Sequence, residues 1–234
     1  MQRLIEQYPL QRGSHPHRDD GMCAMEMVAW LAGEAHNDEP ECACPVIASL
    51  VRACNDSMSD PARNRYLRPL VPQLVQPRAD RRVEQARGML AIDCLVRQLL
   101  PRWLDRHHRF EEGRLLRGMP PISCLSPVRA ATRVLQPAAG DHRATRWVLD
   151  RALDGTPPQR YVPAVVQLAR ALQAGQAWLE MVALTERMAT LGAATKQPER
   201  AATSQPPEIA SLRRQHPCCQ TVQTTWWAKT GKNS

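Results

Sequence analysis

Between Met22 and Ala32, apolar side chains nearly encircle a helix. Met22, Met25, Val28, Ala29 and Ala32 share one face, while Met27, Trp30 and Leu31 fall off it. A helix that is apolar all round belongs in a core. Asp19 and Asp20 offer it an N-cap, and Gly33 offers a C-terminal stop. A polar, acidic loop follows from Gly33 to Cys44. Pro45 then suits the first position of a second helix, Val46 to about Asn55. A third element starts at Asp60–Pro61. Pro69, Pro72 and Pro77 break its continuation into short turns, although Leu67, Leu70, Val71, Leu74 and Val75 still line up as an apolar stripe.

The strongest helical pattern covers residues 80–100, with Val83, Ala86, Leu90 and Cys94 inside and Asp93 placed to pair with Arg97 one turn on. From Pro101 to Gly118 the chain reads as a polar segment anchored by Trp103, Leu104, Leu115 and Leu116. Ser126–Pro127 opens a helix to about Leu135, and Asp141 caps another through Leu153, with Gly155 as its stop. Two more helices are expected at 161–174 and 176–191, separated by a kink or turn at Gly175 and ended by Gly192. Strand signals are nearly absent. Residues 1–18 read as a flexible leader. Residues 193–234 lack a periodic apolar face and read as a disordered tail. The expectation is an all-α fold, a compact multi-helix bundle of short paired helices over residues 19–192, with a basic C-terminal tail.

Composition supports the helical reading. The chain has 1 Phe and 3 Tyr, so its core must be aliphatic, with tryptophans as the large pieces. Net charge is +8, and Lys196, Lys229 and Lys232 are the only lysines. This arginine bias fits a GC-rich coding sequence, or sites for phosphate and carboxylate. Half of the +8 falls in the tail, which leaves the body mildly basic. No run of about 18 apolar residues exists to span a membrane, and no signal-peptide pattern is visible. A cytoplasmic location is expected, where the 8 cysteines would be core thiols, metal ligands or redox groups rather than a disulfide framework.

The densest chemistry lies between Cys23 and Pro45. Cys23, His36, Cys42 and Cys44 are candidate ligands for zinc or iron, since zinc takes four Cys or His ligands in a tetrahedron. They read equally as core thiols with a loop histidine. Cys42 and Cys44, the latter beside a helix start, could also form a redox pair. Glu34, Asp38, Glu39 and Glu41 read as a solvated acidic loop, because an EF-hand pattern is missing. Arg106, His107, His108 and Arg109 read as an exposed mixed-charge helix face. In the tail, Cys218–Cys219 and Trp226–Trp227 stand out. The two Trp could anchor a protein partner, or stack on nucleic acid beside Lys229 and Lys232. No phosphate loop, nucleophile elbow or dinucleotide fingerprint occurs, so no catalytic residue is assigned.

The segment from Gly21 to about Asp105 resembles a group of uncharacterised bacterial proteins. They share a pattern carried here by Gly21-Met22-Cys23-Ala24-Met25-Glu26, Ala32-Gly33-Glu34, Asp38-Glu39-Pro40-Glu41-Cys42-Ala43-Cys44-Pro45-Val46 and Asn55-Asp56. The resemblance implies no activity, but it marks the same cysteine-rich segment. The expected function is that of a non-enzymatic helical interaction or adaptor protein with a protein partner and no cofactor. Metal binding, with zinc as cofactor, is the first alternative, and nucleic-acid binding through the tail is the second.

Overall fold

Prolines and polar caps cut the chain into short helices, several of which gather around the helix that starts at Pro45. The structure is a computed structural model that describes residues 2–75, 79–124, 162–172 and 175–191. All of these belong to one unit, Met1–Lys196. The fold is all-α, and no strand occurs among the described residues. The helices expected at 126–135 and 141–153 lie outside those residues. So does the tail 193–234, with Cys218, Cys219, Trp226, Trp227, Lys229 and Lys232.

Helix α1 (Gln2–Gln7) is followed by an extended stretch and a 3-10 turn at Arg18–Asp20. Next come α2 (Ala24–Ala32), α3 (Pro45–Ser57), α4 (Asp60–Tyr66), a 3-10 turn at Arg68–Leu70 and α5 (Val71–Leu74). Helix α6 (Arg81–Cys94) runs through a widened π turn (Leu95–Leu99) into α7 (Leu100–Arg106). Helix α8 is Phe110–Arg117, α9 is Val162–Ala171 and α10 is Gly175–Thr190. Helix α3 packs against α2, α6, α9 and α10, and α8 folds back on α7. The shared core holds Met25, Val28, Val46, Leu50, Val51, Cys54, Ile92, Leu95, Leu99, Val165, Val166, Met181 and Met188.

Three sequence expectations need correction. The leader is not loose. Ile5 and Leu10 are buried in the core. Asn64 accepts from the Leu10 amide at 2.8 Å and donates to its carbonyl at 3.1 Å, imitating a backbone partner. Asn55, fully buried, donates to the Gln11 carbonyl at 2.9 Å, and Asp56 accepts from the Gly13 amide at 3.0 Å. A search for apolar periodicity passes over such a segment, because side chains elsewhere supply its backbone partners.

The cluster Arg106–Arg109, expected on a helix face, falls where the chain turns between two helices. Proline lacks the N–H that a helix interior needs and crowds the preceding turn. The π turn at Leu95–Leu99 absorbs that misfit, and the helix continues to Arg106. Helix α8 then approaches closely at Gly113, where an added Cβ would lie 3.1 Å from the Pro101 carbonyl. His107 and His108 accordingly sit on the turn between α7 and α8 rather than on a helix face. His108 has φ 60°, and the His107 ring lies 4.1 Å from that of Trp103.

The buried face of α6 is also rotated. Arg87, Met89 and Ile92 are buried, whereas Val83, Ala86 and Leu90 are half-buried. Arg87 belongs to a recurring device. Helix C-termini leave carbonyls without partners. Arg87 donates to the Met188 carbonyl at 2.8 Å and the Leu191 carbonyl at 2.9 Å, closing the end of α10. Arg63, 1% exposed, donates to the carbonyls of Asn55 and Met58 at 2.8 Å each, closing α3. Arg106 reaches the Ala171 and Leu172 carbonyls at the end of α9. A cation at a helix C-terminus also meets the negative end of its dipole.

Candidate functional site

The segment Cys23–Pro45 is held by its own carboxylates. Cys23 is the N-cap of α2: its Sγ accepts from the Glu26 amide at 3.4 Å, and the Glu26 carboxylate accepts from the Cys23 amide at 2.7 Å. This is a capping box with cysteine in place of serine or threonine. Glu26 is 1% exposed, and it also accepts from the His15 amide at 2.6 Å and from His15 Nδ1 at 2.9 Å. Burial alone would raise the Glu26 pKa. The hydrogen bonds from Cys23 and His15 outweigh it and hold the value below the ordinary 4.5. The carboxylate is therefore ionised, and His15 Nδ1 carries the hydrogen it donates.

His36 faces the same group. Its Nε2 lies 3.0 Å from the His15 carbonyl and 3.8 Å from Glu26 Oε1, and its Nδ1 is buried with no hydrogen-bond partner among the described residues. A carbonyl only accepts, so Nε2 carries the hydrogen.

A second carboxylate shapes the loop. Glu34 Oε1 accepts from the Cys42 amide at 2.8 Å and Oε2 from the Glu41 amide at 2.7 Å. Its small burial cost is outweighed by these bonds and one to the Cys42 thiol, which hold its pKa low. Asn37 closes a local turn by accepting from the Glu39 amide at 2.8 Å. Arg52, about two turns into α3, donates to the Asp38 carbonyl at 2.8 Å and pairs with Glu39 at 2.8 Å.

The four predicted metal ligands thus have separate duties. Cys23 caps α2, and His36 sits on His15 and Glu26. Cys42 bonds Glu34. Cys44 is the N-cap residue of α3, buried and with no side-chain cap hydrogen bond. Among the described residues, no group of three or more His, Cys, Asp or Glu is gathered as a metal ion would need. Burial pushes the Cys23 thiol up to about 12, and burial together with Glu34 pushes Cys42 up to about 11. Both are therefore protonated near neutral pH, opposite to what a nucleophilic or ligating thiolate needs. The six described cysteines are all free thiols.

Sequence reading missed the partnership of His15 with Glu26 and the stapling role of Glu34. The capping box was visible in principle, as a capping-capable residue three positions before Glu26. His15 is 11 residues away in a stretch read as leader, so spacing gave no hint of it.

The immobilised loop and the start of α3 enclose an open cleft of about 330 Å³, lined by Glu39, Pro40, Glu41, Ala43, Pro45, Ala48, Ser49 and Arg52. Of its lining residues, Pro40, Ala43 and Ala48 are largely buried, and the open surface of the cleft is mostly polar. Glu39, whose side chain is 74% exposed, and Glu41, also exposed, stand at its rim. Among the described residues no helix is long and apolar enough to cross a membrane. No protein-family model, curated protein or solved structure matches the chain.

Proposed function

We propose that this chain is a non-enzymatic helical interaction protein, and that the cleft between the Gly33–Cys44 loop and α3 receives a protein partner. The carrying observation is the set of hydrogen bonds that hold that loop's backbone. Glu34, Asn37 and Arg52 fix its backbone through bonds of 2.7–2.8 Å, yet its rim side chains face solvent around an open cleft. A surface ordered before binding loses less conformational entropy on association. The protonated thiols and the amide-bound carboxylates favour structural roles for the segment over chemical ones.

The test is site-specific photo-crosslinking from position 41 in cells producing the full chain, with the cross-linked species identified by mass spectrometry. A discrete heteromeric adduct is expected, and it should disappear when Ala48→Leu fills the cleft. A chain that forms no adduct and stays strictly monomeric in fresh lysate overturns the reading.

A further inference from the structure

We infer that the groove holding the leader is a receptor for an extended peptide of a partner protein, and that the leader is its occupant in cis. This face is separate from the cleft at the start of α3 and does not rest on it. Leu10, Gln11 and His15 are each bound at both amide and carbonyl. Asn64 takes both groups of Leu10, at 2.8 and 3.1 Å. Gln11 donates to the Met22 carbonyl at 2.8 Å and accepts from Asn55 at 2.9 Å. His15 donates its amide to Glu26 at 2.6 Å and accepts from His36 Nε2 at 3.0 Å. Between them, the Gly13 amide donates to Asp56 at 3.0 Å. The side chains that make these bonds come from α2, the loop after it, α3 and α4. The side chains of Gln11, Arg12 and Ser14 are exposed. The groove therefore reads main chain, the mode by which extended peptides are bound with little regard to sequence. Two side chains add selectivity. Leu10 is 1% exposed, and the Tyr8 ring meets the Trp30 ring edge-on at 5.3 Å. Gly13 has φ 80°, which favours glycine. The fitting partner segment thus carries an aromatic residue two places before a buried aliphatic one, and a glycine three places after it.

The receptor side chains are also positioned without the leader. Asn55 accepts from the Ala24 amide at 3.2 Å and reaches Asp56 at 3.3 Å. Asn64 donates to the Asp60 carbonyl of its own helix at 3.0 Å, and Glu26 is held by the Cys23 amide at 2.7 Å. A groove ordered in advance loses less entropy when it takes a peptide. Residues 16–20, which join the leader to α2, are exposed, so the occupant is tied on by a surface connection. A tethered occupant competes at about millimolar effective concentration, which makes the leader a plug that a partner must displace.

The test inserts a protease recognition sequence between Pro16 and His17 and cuts the full chain after it has folded, so no variant has to fold without its leader. The cut fragment should leave on dilution, and the remaining body should keep its helical circular dichroism. A capped, fluorescein-labelled peptide carrying residues 5–16 should then bind the body saturably by anisotropy, and the uncut chain about a hundredfold more weakly. Alanine at positions 11, 12 and 14 of the peptide should leave binding unchanged, whereas Leu10→Asp in the peptide should abolish it. Asn64→Ala in the body should weaken binding about tenfold, the loss of two hydrogen bonds to backbone. A body that unfolds once the fragment is gone, equal binding to cut and uncut chain, or indifference to Leu10→Asp would overturn the inference. If the uncut chain dimerises and free peptide dissociates the dimer, the occupant is a second copy's leader and the foreign partner is wrong.

Discussion

The carboxylate of Glu26 receives both the backbone amide and the imidazole Nδ1 of His15, at 2.6 and 2.9 Å. One buried side chain thereby fixes the start of α2 and the end of the leader together. Glu26→Ala would leave the amides of Cys23 and His15 without their acceptor in a water-poor setting. A loss of about 2–4 kcal/mol is expected in urea unfolding. Glu26→Gln keeps the shape and half the acceptors, and should cost less.

Acid should act through the same group. Glu26 has a folded pKa below its ordinary 4.5, so the unfolded chain binds protons more readily as pH falls. The stability it supplies is fully present above 4.5 and is lost as pH drops through the folded value. Glu34 and Glu112 are lowered too and act in the same direction. The stability gap between wild type and Glu26→Gln should therefore be constant above the ordinary 4.5 and shrink as pH falls below it. A gap that widens on acidification would contradict the ionised, hydrogen-bonded carboxylate.

Cysteine 23 separates a cap from a ligand. Serine is a better N-cap acceptor than a thiol, so Cys23→Ser should keep α2 intact, whereas Cys23→Ala should cost about 0.5–2 kcal/mol. Added zinc should leave the melting temperature of wild type unchanged, because binding would require proton loss from thiols raised to about 12 and 11. A zinc-dependent rise in melting temperature that Cys23→Ser removes would restore the metal reading. A brief alkylation pulse at pH 7.5, mapped by mass spectrometry, should leave Cys23, Cys54 and Cys94 unlabelled, since burial pushes each to about 12.

Arg87 closes α10 from a position about 100 residues earlier in the chain. Arg87→Ala should lose about 2–4 kcal/mol, because two buried carbonyls lose charged donors and a cavity opens. Arg114→Ala, on an exposed side chain paired with Glu111 one turn away, should change stability by less than about 0.5 kcal/mol. Chemical denaturation of the two variants side by side checks the contrast.

Legibility in the sequence followed the physics of each signal. Gly33 at φ 74°, Pro45 at the start of α3 and the all-round apolar α2 are local effects, and each was readable. The Asp93–Arg97 pair at 2.9 Å was readable for the same reason. Arg87 was not among the residues read as inside; the distant carbonyls of α10 explain its burial. The leader and the π turn were missed because their partners, Asn55, Asn64 and the packed face of α8, come from other parts of the chain. The cysteine segment drew the eye by its chemistry. Its carboxylates proved more informative than its thiols, because they form the hydrogen bonds that shape the loop.

The clamped leader has a consequence for how the molecule is made. Its residues leave the ribosome before their partners: Glu26, then Asn55 and Asp56, and last Asn64. The segment is therefore not fully paired until α4 has been synthesised, so it is among the later pieces to settle. Translation paused before Asn64 would leave Leu10 exposed. Synthesis order and assembly order run in opposite directions at this end of the chain.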